Sequence, residues 1–441
     1  MRVAAPGTDQ IHDPRTYDAG PPLEVIDRLR DDRGIVWVDE PPAPGFGGGP
    51  GYWLVLRHAD IESVLRNPAV FSSHLGATQV RDPASRQALD YVRRMMLNMD
   101  PPEHTRLRRP LQKSFTARAV NRLEQQIDGH VRAILDRALG AGPGVIDFAK
   151  EVSADLPLLT LADVLGVPPE DRMLMFDWAN RVIGFQDPDY ATSAAFDSST
   201  GSAMAREAIA LRPMPDDDGR MPDPRTRDGM PDLYHYAHLL GEQKRATPGD
   251  DAMSILMSQP HGADGSISVD EFENMFWLFA VAGNETLRNG LPGGMYALAT
   301  HPDQQRLLRS RPELLDGAVE EMLRWWTPVM VFRRTATAST EVAGQQIDTG
   351  DKVVVSFLAA NRDPAVFADP GTFDITRDAR EHLVFGYGPH FCLGAHLARV
   401  QMRTMFRHLL DRTAWLELDA DPAWLRSSFQ RGVKRLPIRW S

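Results

Sequence analysis

The stretch Phe385-Gly386-Tyr387-Gly388-Pro389-His390-Phe391-Cys392-Leu393-Gly394 holds the only cysteine among 441 residues, and it constrains the fold more than any other part of the chain. One thiol excludes intrachain disulfides and cysteine-rich zinc or iron-sulfur sites, and it fits a reducing compartment. A lone cysteine is most often a small buried hydrophobe. This one stands in a denser pattern, with three glycines around it, a phenylalanine seven residues upstream and a histidine two residues upstream. A thiol that serves as an iron ligand needs backbone held close behind the sulfur. Gly386, Gly388 and Gly394 permit the tight positive-φ geometry that this requires. Leu393 to Leu410 reads as a helix. Cys392 therefore sits near a helix N-terminus, where partial positive charge favours thiolate over thiol.

The stretch matches Phe-Gly-x-Gly-x-His-x-Cys-x-Gly at every fixed position, and it resembles the haem-binding loop of the cytochromes P-450. The resemblance implies haem b (iron protoporphyrin IX) as cofactor. Cys392 would be the axial ligand of the iron, with Phe385, Gly386 and His390 among the residues around the group. It also implies a mainly α fold with a small β region: a single-domain triangular helical prism, with the haem between a long central helix and the helix after the cysteine loop. Composition agrees in class, since 25% charged and 42% hydrophobic residues describe a soluble globular chain with ample core material. The net charge of -11 argues against a nucleic-acid surface. Met1 to Arg15 carries no apolar run of the signal-peptide or anchor kind, so a cytoplasmic monomer without a membrane anchor is expected. Residues 1–51 read as an irregular segment and 52–441 as one catalytic domain.

Along that domain, Tyr52 to Arg57 reads as a strand and Ala59 to Arg66 as a helix closed by Asn67-Pro68. The resemblance makes Ser72 to Asn98 a variable loop and short helix over the active site. Leu75, Met96 and Leu97 are then either substrate contacts or ordinary packing. Pro101 and Pro102, with Glu103 in the first turn, open a basic helix to about Ala117. His104 and Arg108 lie four apart, one turn along a single face, suited to gripping one acidic group. In the family, His-x-x-x-Arg here grips a haem propionate. Asn121 to Leu139, Lys150 to Leu165 and Glu170 to Ile183 have apolar residues at helical spacing. From Gln186 to Asp232, prolines alternate with aspartates, too few apolar groups to order the segment well. The insertion at 186–232 reads as a long, partly disordered loop, either the family's mobile lid or a surface insertion without function.

Val269 to Arg288 is long, apolar and Phe-rich, with Ala282-Gly283-Asn284-Glu285-Thr286 at its centre. The glycine allows the helical ladder to open locally. The five residues resemble the family's oxygen-binding notch, which puts Ala282 and Gly283 against the haem and gives Glu285 and Thr286 catalytic roles. Phe279, one turn upstream, is a substrate-pocket candidate. Leu287 stands where the family often has a second threonine, and Gly290, Pro292, Gly293 and Gly294 disfavour a continuous helix, with a kink expected at Pro292. Pro302 to Ser310 and Pro312 to Trp325 read as two more helices. In the second, Glu321 and Arg324 are three apart and can pair. The resemblance adds Arg377 as their third partner in a structural core that supports folding and haem retention. It also assigns Arg334 to a propionate and places Val329 and Val331 along the haem edge as pocket candidates.

The implied reaction is a monooxygenation of a hydrophobic small molecule, such as a terpenoid, a steroid or another secondary metabolite. Thr286 would donate a hydrogen bond during dioxygen activation and Glu285 would relay protons. Two electrons must come from outside, because the sequence shows no flavin- or nicotinamide-binding module. A ferredoxin with its reductase is implied, docking near Arg106, Arg109 and Lys113. A peroxide-using haem-thiolate peroxygenase would have no need of Glu285 and Thr286, and a non-enzymatic haem-thiolate sensor would have no use for a proton relay.

Overall fold

Apolar runs of strand length must bury both faces, and Ile35–Val38, Tyr52–Val55 and Lys352–Ser356, whose centre is Val353-Val354-Val355, are buried along their whole length. In the computed structural model, which describes residues 2–42, 48–83, 85–184, 200–216, 222–224, 226–258 and 267–441, these strands join Val331–Ala336 and Phe71–Ser72 in a five-stranded sheet. Its order is Ile35–Val38, Tyr52–Val55, Lys352–Ser356, Val331–Ala336, Phe71–Ser72. The pairing is antiparallel except between Tyr52–Val55 and Lys352–Ser356, which run parallel. Alternation divides the side chains between two cores. Trp37, Trp53, Val353 and Val355 face one, while Val36, Leu54, Val354 and Val331 face the other.

The chain divides into two compact units, one of Met1–Asp82, Ile127–Ala154 and Thr286–Ser441, the other of Pro83–Gln126 and Asp155–Glu285. The first unit contains the five-stranded sheet and a three-stranded antiparallel sheet of Gly144–Asp147, Pro437–Trp440 and Leu416–Leu418. It also contains the helices Leu315–Trp326 and Ala395–Arg412. The segment before Tyr52, expected to be irregular, instead forms the helices Thr8–His12 and Leu23–Asp32 and the first strand of the sheet. Ile26 and Leu29 are buried one turn apart, which supplies the apolar stripe that the helix needs.

The long helix runs unbroken from Val269 to Thr300, through Gly283 and Pro292. The helix is thus continuous across residues that disfavour one, and two of the glycines are explained by packing. A Cβ on Gly293 would lie 2.1 Å from Trp326 Cγ, and one on Gly294 would lie 2.7 Å from Phe406 Cζ. The helices Leu315–Trp326 and Ala395–Arg412 thus pack directly on bare backbone. Gly283 is explained in the same way, because its Cβ would approach Leu161 Cδ1 to 3.0 Å.

In the second unit the basic helix spans Glu103–Leu111 and stops short of Ala117. Pro110 cannot donate to the carbonyl one turn back, and the chain continues as a 3-10 turn, Gln112–Phe115. Within the insertion, one described stretch is a helix where a loop was expected. Residues 185–199, 217–221 and 225 lie outside the described residues, but Ala203–Ile209 is a helix capped by Ser202. Buried carboxylates hold both of its ends. Asp171 accepts from Ser202 N at 2.8 Å and Oγ at 2.6 Å, and Asp177 pairs with Arg212 at 2.8 Å.

Candidate active site

The cysteine loop turns through Gly386 (φ 70°) and Gly388 (φ 71°), conformations in which a side chain would be strained. Gly388 has a second constraint, since a Cβ there would meet Leu65 O at 2.6 Å. Gly394 differs from expectation: its φ is -87°, and no other group lies within 4 Å of the position of its Cβ. Cys392 N donates to Phe385 O at 2.8 Å, closing the loop behind the sulfur. The helix Ala395–Arg412 begins three residues later. No group of three or more His, Cys, Asp or Glu side chains able to hold a bare metal ion occurs among the described residues. A lone thiol in a loop closed on its own backbone and followed by a helix fits the one ligand that a protein would supply to a haem iron, the in-plane ligands being supplied by the porphyrin.

The same unit holds Arg334, buried on strand Val331–Ala336 with Nη1 donating to Arg333 O at 2.8 Å. His390 Nε2 lies 3.2 Å from Ser73 Oγ. Val331 is buried, Val329 is half-buried and Leu75 is 44% exposed. Glu321 and Arg324 form a two-pronged pair, each contact at 2.7 Å, with both side chains wholly buried. Arg377 Nε joins at 3.3 Å, and Arg324 Nη1 also donates to Asn361 O and Pro370 O. Thr286 is half-buried on the long helix.

In the second unit, His104 is buried and Arg108 half-buried, one turn apart on Glu103–Leu111. Phe279 is stacked on Phe115, with centroids 6.0 Å apart, and Met96 is buried in a 3-10 turn. On the long helix Ala282 is exposed, while Gly283 and Glu285 are half-buried. Of the cations expected to face a redox partner, Arg109 is exposed. Arg106 is ion-paired with both Glu103 and Glu271, and the side chain of Lys113 lies outside the described residues.

One cluster escaped the sequence reading. Glu320, adjacent to Glu321, accepts from Arg399 Nε at 2.6 Å and Nη2 at 2.8 Å and lies 3.1 Å from His382 Nε2. Burial alone would raise its pKa, but the hydrogen bonds from His382 and Arg399 outweigh that and hold it at about 2. The guanidinium of Arg399 lies 4.5 Å over the Phe385 ring. Only an arginine seven residues after the cysteine, on the helix that follows it, could have hinted at it.

The cytochrome P450 family model matches residues 238–434. The steroid C26-monooxygenase of Mycolicibacterium smegmatis is 37% identical over 425 residues, which cover 95% of this chain and 91% of its own. The methyl-branched lipid omega-hydroxylase of Mycobacterium bovis is 35% identical, with 90% and 86% covered. The solved structure of a Mycobacterium marinum cytochrome P450 in complex with pseudoionone superposes with a TM-score of 0.82. It is 32% identical, with 96% of this chain and 97% of the other covered.

Proposed function

The chain belongs to the cytochrome P450 family of haem monooxygenases, and from that premise we propose that it hydroxylates a steroid, a terpenoid or a related branched lipid with electrons from a ferredoxin and its reductase. The observation that carries the chemistry is the Cys392 loop, closed by the Cys392 N–H on Phe385 O at 2.8 Å ahead of the helix Ala395–Arg412. Bound haem, with a thiolate behind its iron, supplies activation of dioxygen and insertion of one oxygen atom into a substrate C–H bond. The substrate class is supported by two relatives that act on a steroid and a methyl-branched lipid.

Each remaining role falls to this chain's own groups. Cys392 Sγ would hold the iron. Arg334 and His390, with His104 and Arg108, would supply donors to the two propionates, a task that suits guanidinium. Thr286 Oγ1 would donate a hydrogen bond at the oxygen site, and the Glu285 carboxylate would pass protons towards it from solvent. Phe279, Val329, Val331, Leu75 and Met96 would contribute apolar surface to the substrate. Arg109, with Lys113, would offer positive charge to an acidic electron donor, whereas Arg106 is already committed to Glu103 and Glu271.

A titration of the haem-loaded protein with steroids, terpenes, straight and branched fatty acids and polyketides tests the substrate reading. A low-to-high spin shift with steroids or branched lipids is expected, followed by a hydroxylated product when a ferredoxin system is added. Shifts confined to charged or hydrophilic ligands would overturn it.

A further inference from the structure

We propose that Glu320, Arg399 and Phe385 form a positioning relay that fixes the backbone behind Cys392, separate from the Glu321-Arg324 pair beside it. Neighbouring residues on a helix point about 100° apart. Thus Glu321 reaches Arg324 and Arg377, while Glu320 on the same helix reaches the helix that follows the cysteine. Its two oxygens grip Arg399 through Nε and Nη2, the fork geometry that removes rotational freedom from a guanidinium. The fixed cation covers the face of Phe385 at 4.5 Å, an attraction to the ring quadrupole. The ring also meets His382, tilted at 51° with centroids 5.6 Å apart, and His382 Nε2 returns to Glu320 at 3.1 Å. The relay therefore closes on itself around one aromatic ring. The carbonyl of that same residue accepts the Cys392 N–H at 2.8 Å. A shift of the ring moves the carbonyl, and with it the hydrogen bond that sets where the sulfur stands.

An ion pair that merely joined two helices would stabilise the fold without touching the cysteine. The relay instead acts like the outer partners of a metal ligand, whose removal typically loosens the metal by a factor of 10 to 100. It rests on Cys392 as the iron ligand, and the experiment separates the two claims. Wild type, Glu320→Gln, Arg399→Met and the double variant are purified with haem. Three quantities are measured: haem transfer to apomyoglobin, the share of the reduced carbon-monoxide complex with the red-shifted thiolate band, and thermal unfolding. Each single variant is expected to lose haem roughly 10-fold faster, with a reduced thiolate share. The double variant should be no worse than the worse single one, as expected for residues acting through one chain of contacts. Arg399→Lys, which keeps the charge but not the fork, should fall between wild type and Arg399→Met, and it replaces Glu320→Gln if that variant yields no holoprotein. Haem loss and thiolate share equal to wild type, with only the unfolding temperature lowered, would overturn the relay. Absence of the thiolate band in wild type itself would instead overturn the ligand assignment.

Discussion

Arg431 shows what a single residue costs and returns in this fold. It is buried, and desolvation pushes its pKa down to about 9. Nη1 donates to the carbonyls of Trp325 and Trp326 at 2.9 and 3.0 Å, and its guanidinium lies 4.3 Å over the Trp326 ring. Those carbonyls end the helix Leu315–Trp326, where a cation is favoured. Replacing Arg431 with Leu is expected to cost about 2 kcal/mol in denaturant unfolding, because two buried acceptors are left unmet. The Glu321-Arg324 pair predicts a larger loss. Glu321→Ala leaves an uncompensated buried guanidinium and should destabilise by about 3–5 kcal/mol, read from the same unfolding curves. At Thr286 the expected effect is on chemistry: Thr286→Ala should divert reducing equivalents to hydrogen peroxide, and unchanged coupling of electrons to product would count against its role.

Among the elements, the long helix shows where composition misleads. Gly290, Pro292, Gly293 and Gly294 disfavour a continuous helix, yet the helix runs through them and two of the glycines are points of contact with neighbouring helices. Gly293→Ala would drive a methyl into Trp326 and is expected to lower stability by about 1–3 kcal/mol or prevent folding, as thermal unfolding would show. Local periodicity does reveal other elements, such as Pro302–Ser310, and the three-residue spacing of Glu321 and Arg324 already allows their pairing. Contacts distant in sequence could not be read in that way. Glu320 and Arg399 are separated by 79 positions, and Asp171 meets Ser202 across 31. The carboxylates that fasten helix Ala203–Ile209 are ordinary acidic residues until the fold brings their partners to them. The Glu320 cluster also carries a pH dependence. Its folded pKa of about 2 lies below the ordinary value of 4.5, so its stabilisation is complete above about 4.5 and is lost as pH falls towards 2. Acid unfolding of Glu320→Gln should accordingly be shallower than that of wild type across this range.

For the molecule as a whole, a net charge of -11 opposes an acidic electron donor, so the proposed docking of one would depend on local cations. Reduction by an acidic ferredoxin is expected to slow as ionic strength rises, as attraction between opposite charges is screened. Acceleration by salt would point to the overall repulsion instead. No helix among the described residues is long and apolar enough to cross a membrane. The glycine-rich stretch around Cys392 made the family and cofactor legible in sequence, because ligand, turn residues and helix lie within a few positions of one another. The residues proposed to choose the substrate, Leu75, Met96, Phe279, Val329 and Val331, are scattered along the chain, and their spacing carries no chemical signature. The measurement that bears most directly on the account is the reduced carbon-monoxide spectrum of wild type beside Cys392→Ser. Wild type should show the strongly red-shifted Soret band of a thiolate-ligated haem and Cys392→Ser should lose it; the same band in both proteins would contradict the assignment of Cys392.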